Sequence, residues 1–210
     1  IVADCDAFFQ GALVNASGGA GMVALAEYFA AVPRAERRRN IIFAGICCHH
    51  EVPGLNGSPT GSFWMVEAMR PELDRTAEHL SQTQTYIASP GQGSRGYAGP
   101  DGLVYSNTVS ARRWYASGTD RFRDMVKQTW RDFGVATYAA PENNPGGELG
   151  AFPPLAPSLH IIDHTFYHTS MDTPELVPAS GLQNTVQAFA KIIDEVNRMD
   201  MREIRGQLYP

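Results

Sequence analysis

The sequence has no run of about 20 apolar residues and no visible signal peptide, so it contains no segment expected to span a membrane. It also lacks an excess of basic residues, since the formal net charge of the 210 residues is −5. Proteins that bind a nucleic-acid backbone normally present a basic patch, and the only dense basic run here is residues 34–39. We interpret that run as a solvated loop and expect no nucleic-acid partner.

Cysteine is scarce. The chain contains three, Cys5, Cys47 and Cys48, so at least one of them has no cysteine partner within this chain. All three lie in apolar runs typical of strands, where thiols are usually buried and inert. A cysteine nucleophile activated by a neighbouring histidine is the alternative interpretation.

The sequence otherwise has the composition of a globular protein, with 43% hydrophobic and 19% charged residues. Its length fits one domain, and short apolar runs alternate with helix-type periodicity, which predicts an α/β fold with a mostly parallel sheet. Strands are predicted at residues 1–5, 40–47, 76–85, 135–138 and 159–163. Helices are predicted at residues 17–31, 59–69, 120–133 and 181–199. Residues 90–105 and 140–157 are rich in glycine and proline and are predicted to be loops.

The first two strands are expected to be central, because residues 1–3 and 41–43 do not alternate with polar residues. Ligands of parallel sheets bind at the carboxyl ends of the strands. Polar side chains follow three of the predicted strands at that end, namely Asp4, Asp6, His49, His50, Glu51 and His168. We therefore expect them to converge in one cleft.

These side chains allow several chemistries. Asp4 and Asp6 lie two residues apart, hence on one strand face, and could hold a metal, share a proton or bind backbone amides. Asp4, His50 and His168 together could supply three ligands to a single metal ion. Glu51 without a metal-bound water nearby could instead bind an amine or a guanidinium.

Three sequence motifs carry a family resemblance. They are Ile1-Val-Ala-Asp-Cys-Asp followed by Gly11-Ala-Leu-Val-Asn-Ala-Ser-Gly, then Glu51-Val-Pro-Gly-Leu-Asn-Gly-Ser, then Tyr167-His-Thr-Ser-Met-Asp-Thr. Together they resemble the zinc aminopeptidase and carboxypeptidase family that uses two co-catalytic zinc ions. That family also contains glutaminyl cyclases, the transferrin receptor and nicastrin. The resemblance covers residues 1–60 and 150–198 well and the middle of the chain poorly.

The resemblance assigns roles residue by residue. Asp6 matches an acid that orients the first ligand, Glu51 matches the general base, and Tyr167 and His168 match the last motif, in which the histidine is a ligand. The other ligand positions are substituted: Asp4 replaces a histidine, Val14 replaces the carboxylate that bridges both metals, Val52 replaces a glutamate, and the region of Thr83 and Gln84 has no carboxylate.

The resemblance therefore implies a three-layer α/β/α domain of the aminopeptidase type whose di-zinc site is lost. Valine has no donor atom, and two cations about 3.5–4 Å apart repel strongly without a bridging anion. We expect no cofactor in the family's geometry, and a binding or structural subunit rather than a peptidase. The alternative is a hydrolase of an amide-like substrate with a rebuilt single-metal or metal-free site.

The resemblance also has consequences for chain organisation. We expect one aminopeptidase-like domain at residues 1–198, partial at its N-terminus, and a tail at residues 199–210. In the family, further elements precede the strand that begins here. We therefore expect another polypeptide or a missing upstream segment to cover the sheet, and the chain to be part of an oligomer.

Overall fold

The computed structural model describes residues 1–47, 61, 64–69, 81–83, 97–99, 102–104, 111–137, 158–162 and 168–205. Seven strands lie within these ranges: β1 (Val2–Asp4), β2 (Ala44–Ile46), β3 (Ser81–Thr83), β4 (Tyr97–Gly99), β5 (Gly102–Val104), β6 (Arg113–Ala116) and β7 (Ser158–Ile162). Five of them form a sheet in the order β2-β1-β3-β7-β6. The pairs among β2, β1, β3 and β7 are parallel, and β6 is antiparallel to β7.

The helices surround this sheet. They are α1 (Ser17–Ala31), α2 (residues 64–69), α3 (Asp120–Asp132), α4 (Ala179–Arg198) and α5 (Met201–Arg205), with a π-helical turn at Ala12–Ala16. Helix α1 packs on α4, and α4 packs on α3. Among the described residues, no helix is both long and apolar enough to cross a bilayer.

Helix α3 illustrates how local sequence sets an element. Thr119 caps its first turn by accepting a hydrogen bond from the backbone N–H of Phe122. Phe122, Val126 and Trp130 recur at helical spacing and are fully buried. Gly134 ends the helix with a φ of 66°, a left-handed conformation that glycine adopts without strain.

One large apolar core joins the sheet to α1, α3, α4 and α5. Its members include Leu25, Trp114, Trp130, Leu159, Phe189 and Ile204. Trp130 stands edge-on to both Trp114 and Phe189, with ring centroids 6.3 and 5.4 Å apart. Ile204 is fully buried, so the segment after α4 packs onto the domain.

Helices lie on opposite faces of the first two strands, and β1 is fully buried between them, whereas Gly45 in β2 is exposed. Val2 and Ile46 pack with Met65 of α2, whereas a side chain added at Gly45 would meet Met22 of α1. Neighbouring residues of a strand point to opposite faces, so the two helices lie on opposite sides of this part of the sheet.

The structure confirms the predicted first strand, the first helix, the helices beginning at residues 120 and 181 and the strand at 159–163, each to within two residues. A helix was predicted at 59–69, and the described residues of that range are helical. A strand was predicted at 76–85, and the described residues of that range form a strand. The predicted loop at residues 140–157 lies outside the described residues.

Three local predictions were wrong. Residues 97–99 and 102–104 form the antiparallel β4–β5 pair, where a loop was predicted. Strand β6 was missed, because its aromatic residues are buried on both faces and show no alternation: Trp114 joins the main core, and Tyr115 packs with Leu13. Of the strand predicted from residue 135, the described part forms only a bridge between Thr137 and Arg112.

The position of the second strand also differs from expectation. It is shorter than predicted, and within the described sheet it is the edge strand. Ile42, expected to be buried, is 51% exposed. The prediction of a central location is therefore confirmed for β1, whose three residues are all buried, but wrong for β2 in this sheet.

The basic run at residues 34–39 has a structural role at the end of α4. Arg39 donates to the carbonyl oxygens of Val196 and Met199, and Arg38 donates to that of Arg198. These oxygens belong to the last turn of the helix, which lacks partners within the helix. The run is thus attached to a helix end rather than simply solvated.

Candidate functional site

The candidate site begins at the carboxyl end of β1. Asp4 is the last residue of that strand and is only 1% exposed, although it is an acid. Asp6 follows it and is half-buried. The backbone oxygen of Asp6 accepts a hydrogen bond of 2.5 Å from Nδ2 of Asn15, which joins the end of β1 to the next segment.

That next segment is a tight turn into α1. It starts at Gly11, whose φ is 53°, and contains a cis peptide bond between Val14 and Asn15. Ser17 Oγ donates to the carbonyl oxygen of Leu13 over 2.7 Å and so holds the turn against the first residue of the helix.

Asp172 anchors the same turn from the far end of the chain. Its Oδ1 accepts from the backbone N–H of Leu13 at 2.6 Å, and its Oδ2 accepts from that of Val14 at 3.0 Å. The residue is 3% exposed, and this burial raises the pKa of its carboxyl group, against the opposing effects of the amide donors and of His168.

His168 lies on the same loop as Asp172. Its ring packs edge-on against Phe8, with ring centroids 4.7 Å apart. His168 and Phe9 have φ values of 58° and 56°, and they are the two non-glycine residues with positive φ in the part of the chain described. Backbone conformations of this kind cluster at ligand sites.

The loops after β1 and before α4 carry three exposed apolar side chains, which we call the apolar rim. Phe9 is 71% exposed, and Phe8 and Met171 are about half exposed. The rim therefore combines one loop after β1 with one loop before α4. Singly exposed apolar side chains are common, but each of these three lies within three residues of Asp6 or Asp172 in the chain.

Two oxygen atoms beside this rim lack hydrogen-bond donors. Asp6 Oδ1 and Asn15 Oδ1 are both buried, and neither accepts a hydrogen bond from any residue that the structure describes. A buried acceptor without a donor costs about 1–3 kcal/mol, which favours a ligand that supplies N–H or O–H groups.

The structure brings together three of the segments that carry predicted site residues: those of Asp4 and Asp6, of Val14, and of His168. Glu51, His49, His50, Val52, Gln84 and Tyr167 lie outside the described residues, so their predicted place in the cleft stays a prediction. The backbone of Thr83 pairs with Val2 and His160, as expected for the strand beside β1.

The sequence motifs include Asp172 but assign it no role, and Phe8 and Phe9 lie outside them. No sequence signal separates the two phenylalanines from ordinary core residues. Their significance comes from exposure and from the contact with His168.

The resemblance places a bridging carboxylate at the position of Val14, which has no donor atom for a zinc ion. Val14, at the position of the family's bridging carboxylate, is 1% exposed and packs with Leu13 and Tyr115. Among the residues described, no group of three or more His, Cys, Asp or Glu side chains could hold a metal. A metal pair here would contact methyl groups where it needs an anion.

Two cysteines lie next to the site rather than in the core. Cys5 and Cys47 are both exposed thiols, so the expectation that they are buried is wrong. Desolvation raises the pKa of the Cys5 thiol, and the charges of Asp4 and Asp6 raise it further.

The fold matches solved structures of known enzymes. A zinc aminopeptidase, BSAP, from Bacillus subtilis superposes with a TM-score of 0.61 at 17% identity over 100% of this chain and 49% of its own. A second structure of it gives 0.66 at 16% identity, over 99% and 49%. A glutaminyl cyclase from an Acidobacteriales bacterium gives 0.66 at 15% identity, over 94% and 68%.

These likenesses show that the chain has the aminopeptidase-like fold predicted from its motifs. The chain spans about half the length of the aminopeptidase. No protein-family model matches the sequence, and no curated protein matches it.

Proposed function

We propose that this domain is a binding or structural subunit built on the aminopeptidase fold, without the di-zinc peptidase site. The observation that carries the proposal is the packing of Val14. Its side chain is part of an apolar cluster with Leu13 and Tyr115, and Asp172 holds its backbone in place. An apolar contact there cannot activate water through a bridged metal pair.

The ligand class that the site favours has a cationic amine beside an apolar group. Asp6 and Asn15 offer buried acceptor oxygens, and the carboxylate of Asp6 also supplies negative charge. Phe8, Phe9 and Met171 offer exposed apolar surface next to them. An unblocked N-terminal residue with an apolar side chain has both properties.

Calorimetric titration of the purified chain with leucinamide tests this assignment. Leucinamide should bind, and its N-acetylated form should bind at least about tenfold more weakly, because it lacks the charge that pairs with a carboxylate. Asp6→Asn should lower the affinity for leucinamide, whereas Asp124→Asn, an exposed acid on α3, should not. Equal binding of both compounds would contradict the assignment.

Elemental analysis of the same preparation separates the two functional classes. The subunit proposal expects no transition metal held at one ion per chain. One tightly held metal ion, together with release of ammonia from leucinamide, would instead support a hydrolase of amide-like substrates with a rebuilt site that includes Asp4, His50 and His168.

We also propose a three-layer α/β/α arrangement in which another polypeptide segment covers the β2 edge. The position of α1 and α2 on opposite faces of β1 and β2 supports the layers. Ile42 beside this edge and Val23 and Tyr28 on α1 are exposed. Within the described sheet no strand pairs with the outer side of β2, and an edge of this kind favours pairing with another segment. A soluble monomer with a sharp cooperative melt, obtained from residues 1–210 alone, would count against this partner.

A further inference from the structure

The parallel register of β1 and β2 places two cysteines side by side. Ala3 pairs with Gly45 and Asp4 with Ile46, and the backbone N–H of Cys5 donates to the carbonyl oxygen of Ile46 over 2.6 Å. The next position in this register sets Cys5 beside Cys47. Adjacent strands lie about 4.7–4.9 Å apart, within the range of about 4.4–6.8 Å between the Cα atoms of a disulfide.

The two thiols also share a face of the sheet. A Cβ atom added at Gly45 would lie 2.5 Å from Sγ of Cys5, so that sulfur occupies the space left by the missing side chain. Cys47 follows Gly45 by two residues, and residues two apart in an extended strand point to the same side. The Cys5 sulfur therefore leans towards the strand that carries Cys47.

We propose that Cys5 and Cys47 form a thiol–disulfide exchange site, which closes to an intramolecular disulfide in the presence of a small-molecule disulfide. Both side chains are exposed thiols, as a modification from solvent requires. Gly45 makes this geometry possible, because any larger residue would displace the Cys5 sulfur.

The exchange takes place in two steps. The thiolate of one cysteine attacks the small disulfide, forms a mixed disulfide and releases one small thiolate. The thiolate of the second cysteine then attacks the protein sulfur of that mixed disulfide and releases the second small thiolate. The protein loses two electrons and two protons, and the small disulfide is reduced to two thiols.

Closure would tie together the two segments that leave β1 and β2. One carries Asp6 and Phe8 of the candidate site, and the other leads to the predicted residues His49, His50 and Glu51. The bond would close a loop of about 40 residues, which restricts the unfolded chain and stabilises the folded one. The exchange would thus change the stability of the site's entrance without adding a ligand.

Intact mass measurement of the folded 210-residue chain after incubation with oxidised glutathione tests the proposal. The wild-type protein should lose two hydrogen atoms through the new disulfide, and any glutathione that it carries should be a single adduct on Cys48. Proteolysis without reductant should then yield one peptide pair linking Cys5 to Cys47. Dithiothreitol should reverse both changes, and the closed form should unfold at a higher temperature than the reduced form.

Three single variants assign the bond. Cys48→Ser should close like the wild type, whereas Cys5→Ser and Cys47→Ser should keep a glutathione adduct. A link that involves Cys48, or a wild-type protein that only accumulates glutathione, would overturn the proposal. Peptide mapping of the wild type identifies the linked cysteines even if a serine variant fails to fold.

Discussion

At the scale of single residues, Asp172 connects the two ends of the sequence. It lies almost 160 positions from Leu13 and Val14, yet both of its carboxylate oxygens accept their backbone N–H groups. A carboxylate that accepts hydrogen bonds from two backbone N–H groups fixes the direction of a turn more firmly than one hydrogen bond between neutral groups does. The apolar cluster around Val14 depends on that direction.

Replacement of Asp172 by alanine should lower the free energy of unfolding by about 3 kcal/mol, because two buried N–H groups lose a charged acceptor. Urea denaturation followed by circular dichroism measures the change. Glu175→Ala, which alters an exposed acid on the same loop, is the matched control and should stay within about 0.5 kcal/mol of the wild type. Similar losses in both variants would show that Asp172 does not anchor the turn.

Stability should also vary with pH through Asp172. Burial raises the pKa of its carboxyl group above the ordinary value of 3.8, so the folded protein binds this proton more tightly than the unfolded chain does. Its contribution to the free energy of unfolding is therefore largest below 3.8 and falls as the pH rises through the raised pKa. The stability of the wild type relative to Asp172→Asn should decrease from about pH 4 upwards, as measured by urea titrations at several pH values. A difference that grows with pH would contradict the raised pKa.

At the scale of elements, the turn from β1 into α1 depends on one glycine. Gly11 has a φ of 53°, and a Cβ atom there would lie 2.1 Å from Cβ of Ala7. Gly19 in α1 has no such neighbour within 4 Å. Alanine can therefore be placed at Gly11, where it meets a left-handed backbone and a close neighbour, and at Gly19, where it meets neither.

Gly11→Ala should destabilise the protein by more than about 2 kcal/mol, since it adds both left-handed strain and a steric overlap. Gly19→Ala should stabilise it by about 0.5–1 kcal/mol, because alanine loses less entropy in a helix. Thermal unfolding of the two variants beside the wild type checks both signs. Stabilisation by Gly11→Ala would mean that the turn has another conformation.

The end of α4 offers a second test at this scale. Arg39→Ala should cost about 1–3 kcal/mol, because it removes the donors to the carbonyl oxygens of Val196 and Met199. Arg34→Ala is the control, since Arg34 bonds only within its own exposed turn among the described contacts. Hydrogen exchange of the last turn of α4 should accelerate in the first variant alone.

At the scale of the whole molecule, we expect the di-zinc site that the resemblance implies to be recovered only when its ligand positions are changed together. The triple variant Val14→Asp, Val52→Glu and Thr83→Asp should bind zinc, because it restores the bridging anion and the other carboxylates that the resemblance implies. Val14→Asp alone should bind none and should destabilise the chain by about 2–4 kcal/mol, because it buries an unpaired charge in an apolar cluster. Equilibrium dialysis with zinc measures binding, and Val14→Thr controls for loss of the apolar contact. Tight zinc binding by the wild type would refute the proposed loss.

The sequence by itself determined the fold type and most of the helices. Helices α3 and α4 have apolar residues at helical spacing, and this periodicity predicts a helix from the local sequence alone. The three motifs predicted the aminopeptidase-like fold, and the likeness to solved structures confirms it. The sequence also determined that residue 14 cannot bind a metal through its side chain, since no tertiary contact can give valine a donor atom.

Only the tertiary structure decided the position of β2, the existence of β6 and the partners of Asp172. An apolar strand has the same pattern at a sheet's centre and at its edge, because the sequence does not say which strand lies beside it. The pairing of Cys5 with Cys47 likewise depends on a register between segments about 40 residues apart. Long-range register is set by packing over the whole sheet, and for that reason local sequence could not place the two thiols together.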